Sequence, residues 1–203
     1  MPIDLYRGDL PSGLNLGSVV AIDSETMGLK PQRDRLCLIQ LSSGDGNAHL
    51  VQFERFNYTA PNLVKLLEDP DITKVFHYAR FDVAIIKKYL RAQTNSIYCT
   101  KIASKLVRTY TDKHGLKDLC KELLDLDLSK QQQSSDWGAK NLTEEQKKYA
   151  ASDVLYLHKI KEILDQRLIR EERDKLAAFC FEFLQTRASL DLIGFENEDI
   201  FSH

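Results

Sequence analysis

An α/β fold with a mixed central sheet of about five strands, flanked by helices, is what this 203-residue sequence predicts. Three observations carry the prediction. Short β-like apolar runs come early in the chain. Helical periodicity interleaves with them and then dominates the second half. The polar turn Ser42-Ser43-Gly44-Asp45-Gly46-Asn47 joins two of the runs as an antiparallel hairpin.

In order, the strand-like runs are Ser18–Ile22, Leu36–Leu41 and Ala48–Gln52. The connection from Met27 to Arg35 holds Gly28, Pro31 and four charged residues, and it reads as an exposed loop. A helix over Asn62–Glu68 starts just after Pro61, which presets the first turn, and stops before Pro70. Thr73–Phe76 is a fourth strand. Phe81–Leu90 shows apolar residues at helical spacing with Lys87 and Lys88 outside, and Ser96–Cys99 is a fifth strand. Helices follow over Lys101–Arg108 and Leu116–Leu124, then a long one from about Glu144 to Arg170 and a last one from about Glu171 to Arg187. Thr143 and Gln146 fit a capping box, which fixes the start of the long helix and the phase of its faces.

The composition, 43% hydrophobic and 29% charged, is that of a globular protein, and no repeat or linker divides it. One domain over 1–203 is the expectation. No signal-peptide pattern and no membrane-spanning run is visible, so a cytoplasmic protein with no membrane partner is expected. Cys37, Cys99, Cys120 and Cys180 are widely spaced, which argues against a zinc site or a disulfide framework. A net charge of −2 argues against a clamp for long nucleic acid, although a carboxylate cluster loaded with cations attracts phosphate locally.

Four carboxylates and a tyrosine stand out. Asp23 and Glu25 follow the first apolar run two residues apart, so a strand places them on one face, where they repel unless cations hold them. Asp82 follows the fourth strand in His77-Tyr78-Ala79-Arg80-Phe81-Asp82 and opens a helix. Tyr149 and Asp153 are i and i+4 on the long helix, and Ala150 and Ala151 between them leave room for close approach to the sheet. Each acid alone suits a solvated strand end or a helix start. Together they suit hard divalent cations and phosphodiester chemistry.

Asp-x-Glu after a strand, His-x-Ala-x-Phe-Asp and Tyr-x-x-x-Asp resemble the three exonuclease motifs of the DEDD superfamily, tyrosine branch. The likeness extends to a ribonuclease D-like layout through Gly28-Leu29, Arg35–Leu41, Thr100-Lys101 and Ser135-Asp136-Trp137, without room for a C-terminal helical domain. The short chain with Lys130–Trp137 looks most like the bacterial nano-RNase C group. The resemblance implies a ribonuclease H-like fold and 3′-to-5′ removal of nucleotides from short RNA, dinucleotides above all. DNA or longer RNA is the alternative substrate, and a scaffold that binds without cutting the more distant one. It also implies a ring-like homo-oligomer, an octamer.

By that resemblance, Asp23, Glu25 and Asp153 hold the metal that binds the attacking water. Asp23 bridges to a second metal, which Asp82 supports. Two magnesium or manganese ions per site are implied, on the order of 4 Å apart. Tyr149 orients the water or helps to deprotonate it, and its ordinary acidity favours orienting. Leu29 is either a wedge against the substrate's bases or a loop leucine folded on the core. His77 is either a substrate contact or a hydrogen-bonded buried histidine. Tyr78 and Trp137 are stacking candidates, although a sole tryptophan also suits a packing anchor. Lys101, Lys105 and Arg108 form one helical stripe, continued by Lys113, His114 and Lys117, that is either a solvated face or a contact to substrate phosphate. The apolar tail Leu190–Phe201 packs on its own domain or, as the family suggests, on a neighbouring subunit.

Overall fold

The central strands are apolar on both faces because helices cover both. In the computed structural model, which describes residues 2–128, 132 and 134–203, all seven residues of β3 (Leu36–Ser42) are buried. β3 pairs antiparallel with β2 (Val19–Thr26) and with β4 (Ala48–Gln52). Parallel pairing extends the sheet from β2 to β5 (Thr73–Phe76) and on to β6 (Ile97–Cys99). The mixed sheet and the expected hairpin are present. Ser42 Oγ closes the turn by donating to the Asn47 carbonyl at 2.7 Å, while Gly44 and Gly46 supply positive φ.

Among the described residues the sheet has six strands, one more than the sequence predicts. β1 (Ile3–Arg7) adds a parallel edge to β4, pairing Ile3 with Ala48 through Arg7 with Gln52. Two exposed charges in its five residues, Asp4 and Arg7, interrupt the apolar signal. β2 is also longer than predicted. It runs through Asp23, Ser24 and Glu25, so the acidic pair lies within the strand.

α1 (Pro61–Glu68) has Pro61 in its first turn. Its N-cap residue, Ala60, offers no side-chain acceptor, and Asp9 takes that role from a distance, accepting the Asn62 and Leu63 amides at 2.9 Å each. α2 (Ala79–Tyr89) starts two residues earlier than predicted, because Tyr78 adopts φ +69° and turns the chain sharply off β5. Asp82 therefore sits within the first turn of the helix. α3 (Thr100–Val107) and α4 (Leu116–Leu124) follow, close to the predicted spans.

The predicted long helix is two: α5 (Glu144–Leu155) and α6 (Leu157–Arg170), meeting at Tyr156. The capping box is present, with Gln146 N–H donating to Thr143 Oγ1 at 3.2 Å and Thr143 N–H to Gln146 Oε1 at 2.9 Å. A left-handed turn at Glu172 reverses the chain into α7 (Asp174–Glu182) and α8 (Leu184–Leu192), where one helix was predicted. The tail beyond α8 folds back on its own chain. Arg80 and Arg187 take the carbonyls of Glu196, Glu198 and Phe195, and Phe201 lies 5.9 Å from the Phe183 ring, while Ile193, Ile200 and Phe201 keep exposed surface.

α5 packs on the β2–β4 face, where Leu38, Leu50, Trp137, Leu142 and Ala150 form a compact cluster. The larger core joins Ile39, Leu41 and Val51 to α1, α2 and α6. No helix among the described residues is long and apolar enough to cross a membrane.

Candidate active site

β2 places Asp23 and Glu25 on the face covered by α5, and α5 delivers Asp153 to the same spot. Ala150 and Ala151 are fully buried there, so the helix approaches the strands as closely as the sequence suggested. One ligand oxygen each from Asp23, Glu25 and Asp153 lies within 4.8 Å of the others. Asp82 stands outside that trio. By strand alternation Ser24 points away from its acidic neighbours, and its hydroxyl donates to Asp82 Oδ1 at 2.6 Å. Gln40, facing Asp23 across the β2–β3 ladder, donates its amide to Asp23 Oδ2 at 2.8 Å.

None of the four acids joins an ion pair among the described residues. Burial pushes the Asp23 carboxyl up to about 7. Burial, together with repulsion from Asp23, holds Glu25, Asp82 and Asp153 well above the usual carboxylate range. A half-buried cluster of carboxylates with no basic partner among the described residues is suited to cations. All-oxygen ligation suits magnesium or manganese. Tyr149 lies one turn from Asp153 and is raised above its ordinary value by burial and by Asp153, Glu25 and Asp23, so it is a neutral phenol. Trp137 is buried 6.0 Å behind the Tyr149 ring and acts as its packing anchor, not as an open stacking platform.

Residues 9–169 match the 3′-5′ exonuclease family. The chain belongs to that family. Ribonuclease D from Gluconacetobacter diazotrophicus is 34% identical over 76% of the chain and 39% of that protein, so the chain spans about two-fifths of the length of such curated relatives. Likeness over the whole length comes from solved structures of Brucella melitensis NrnC. One, bound to pGG, is 55% identical with a TM-score of 0.97, covering 100% of this chain and 99% of that one. Another, with bound Mg2+, is 54% identical with a TM-score of 0.96 and covers both chains fully. The exonuclease is thus nano-RNase C-like, as its motifs suggested, and its family depends on divalent metal.

The acids of the exonuclease line a cleft of about 850 Å³, and the sequence-predicted substrate residues divide around it. Leu29 is 86% exposed on the rim and is not folded on the core. Its loop is held by Asp34, which accepts the Lys30 amide at 3.0 Å; Gly28 packs so tightly there that a Cβ would lie 2.3 Å from Asp34 Oδ2. His77 faces the cleft and is also hydrogen-bonded. Thr100 Oγ1 donates to the Phe76 carbonyl at 3.1 Å and accepts from His77 Nδ1 at 2.9 Å. Burial, with Lys101 and His114 nearby, pushes His77 down to about 3, so the ring is neutral. Tyr78 is on the rim with Lys101 Nζ 4.3 Å over its ring.

The basic stripe does not act as one surface. Lys101 reaches the cleft. Lys105 borders an adjoining apolar hollow with Phe179 and Phe183. Arg108 is a correction: it is fully buried, forked onto Glu122, and bonded to Ser104 Oγ at 2.9 Å and the Lys113 carbonyl at 2.7 Å, so it is not free for phosphate. Lys117 lines the cleft in its place. The sequence reading missed Ser24 and Gln40. Gln40 did leave a signal, as a polar residue inside the apolar run Leu36–Leu41.

Proposed function

We propose that this exonuclease hydrolyses short oligoribonucleotides, dinucleotides above all, from the 3′ end to mononucleotides. The observation that carries the reading is the trio of oxygens from Asp23, Glu25 and Asp153 within 4.8 Å, in a chain alike over its whole length to NrnC bound to pGG. Asp23, Glu25 and Asp153 would hold the catalytic cation, and Asp82, steadied by Ser24, would support a second. Bound magnesium or manganese supplies an activated water and offsets charge on the reacting phosphate. Tyr149, as a neutral phenol, orients the attacking water by a hydrogen bond and does not serve as a strong base. Leu29 and Tyr78 offer apolar and aromatic surface to the bases. Lys101, with Lys105 further out, offers charge to phosphate. His77, neutral and fixed by Thr100, presents Nε2 as an acceptor for a hydroxyl of the substrate.

In this reading residues 1–203 act as one exonuclease domain in a cytoplasmic octameric ring whose narrow access favours short substrates. The test is a time course on labelled diribonucleotide, longer RNA and DNA, with magnesium, manganese or chelator. Rapid loss of the dinucleotide that stops in chelator is expected, and equal turnover of a twenty-nucleotide RNA would overturn the short-substrate assignment. Light scattering on the intact chain counts the subunits.

A further inference from the structure

We infer that Asp191, in the last turn of α8, is a positioning residue that sets the spacing of the two rims of the cleft and thereby its discrimination of substrate length. The inference rests on the short-substrate reading above.

α8 lies beyond residue 169, where the match to the exonuclease family ends, so the shared chemistry does not account for it. It packs along α2, the helix that carries Asp82. Asp191 is 4% exposed and receives two guanidinium forks. Arg80 donates from Nε to Oδ2 at 2.6 Å and from Nη2 to Oδ1 at 2.8 Å. Arg187 donates to Oδ1 from Nε at 2.9 Å and from Nη2 at 2.6 Å. Such forks fix angle as well as distance. Arg80 lies two residues after Tyr78 and two before Asp82, so its fork fixes the turn that presents Tyr78.

The other rim is tied to the same residue. The Asp191 backbone carbonyl accepts the side-chain amide of Gln32, which belongs to the Leu29 loop and also reaches Glu196 Oε2 at 3.1 Å. Lys88 of α2 donates to the Pro31 carbonyl at 3.0 Å and to that of Gln32. One buried carboxylate and its own carbonyl therefore hold Leu29 and Tyr78, two of the exposed side chains at the cleft mouth, on a common strut. A fixed gap between them suits a fixed number of bases, and a loosened gap admits longer strands and grips short ones poorly. No side-chain hydrogen bond among the described residues links this network directly to Asp23, Glu25, Asp82 or Asp153.

The experiment compares the full-length protein with Asp191→Asn, which keeps the shape but weakens both forks, and with Gln32→Ala, which cuts only the loop tie. Each variant is expected to raise KM for diribonucleotide about tenfold with kcat nearly unchanged. The ratio of kcat/KM for diribonucleotide to that for a ten-nucleotide RNA should fall at least about fivefold, while the magnesium dependence stays that of the parent. A purely structural ion cluster would instead lower both substrates together, in proportion to the folded fraction read by circular dichroism, and that result overturns the inference. So does an unchanged length ratio. If Asp191→Asn does not fold, Gln32→Ala decides. A parent protein without length preference sinks the substrate reading alone; positioning is then judged on the diribonucleotide KM, and an unchanged value sinks it too.

Discussion

At the scale of single residues, burial separates side chains that look alike in sequence. Lys101 and Arg108 share a helical stripe, yet one overhangs Tyr78 in the cleft while the other is sealed against Glu122. Replacing Arg108 with alanine should therefore cost stability, on the order of 3 kcal/mol in urea unfolding, because a buried fork and its hydrogen bonds are lost. It should leave KM for diribonucleotide unchanged, and a raised KM would return Arg108 to the substrate. The fork also holds the Glu122 carboxyl down to about 2. A lowered carboxylate stabilises the fold above its ordinary range near 4.5 and ceases to do so as pH falls towards 2. Tyr149→Phe tests the phenol. On the proposed role its hydroxyl orients water and does not bear on the fold, so kcat should drop by about 10²–10⁴ with little change in KM or melting temperature. A variant as active as the parent would remove Tyr149 from the reaction.

At the scale of elements, the proposed catalytic constellation depends on the phase of α5. Thr143 and Gln146 fix where that helix starts, and the start decides which face carries Tyr149 and Asp153. Thr143→Ala should cost about 1 kcal/mol through loss of the cap. Hydrogen exchange at the first turn of α5 should rise before that of β3, and unchanged exchange there would show that packing alone fixes the helix. The cap was legible because it is local, as were the hairpin at Ser42–Asn47 and the stop before Pro70. The break at Tyr156 was not, since apolar periodicity continues through Val154–Leu157 while the helix changes partners from the β2–β4 face to α3 and α4. β1 escaped notice for a related reason: Asp4 and Arg7 break up its short apolar run, and only pairing with β4 makes it a strand.

At the scale of the whole molecule, folding gathers acids that the unfolded chain keeps apart. Without cations the folded form holds protons that the unfolded form has released, because burial raises Asp23 to about 7 and Glu25, Asp82 and Asp153 rise with it. Stability from these groups is present below the ordinary carboxylate range and is lost as pH rises through about 7. On the proposed assignment, divalent cations binding the deprotonated cluster should reverse that loss, by about 3 kcal/mol at a hundredfold excess over Kd. The rise in melting temperature on adding magnesium should therefore be small near about pH 5.5 and large near about pH 8. A rise that does not grow with pH would separate the cluster from metal binding.

The sequence by itself determined the candidate set of acids and the tyrosine beside them. Asp-x-Glu, the aspartate after the fourth strand and Tyr-x-x-x-Asp carry their own spacing, and strand and helix periodicity assign each to a face without knowledge of its neighbours. It also determined the α/β class, because hydrophobic periodicity is a local property. Only the tertiary structure decided that Arg108 is sealed while Lys101 reaches the cleft, that His77 is neutral against Thr100, that Ser24 holds Asp82, and that Asp191 of α8 bonds both Arg80 and Gln32. Those facts depend on burial and on partners up to 159 residues away, and desolvation has no signature in a linear pattern.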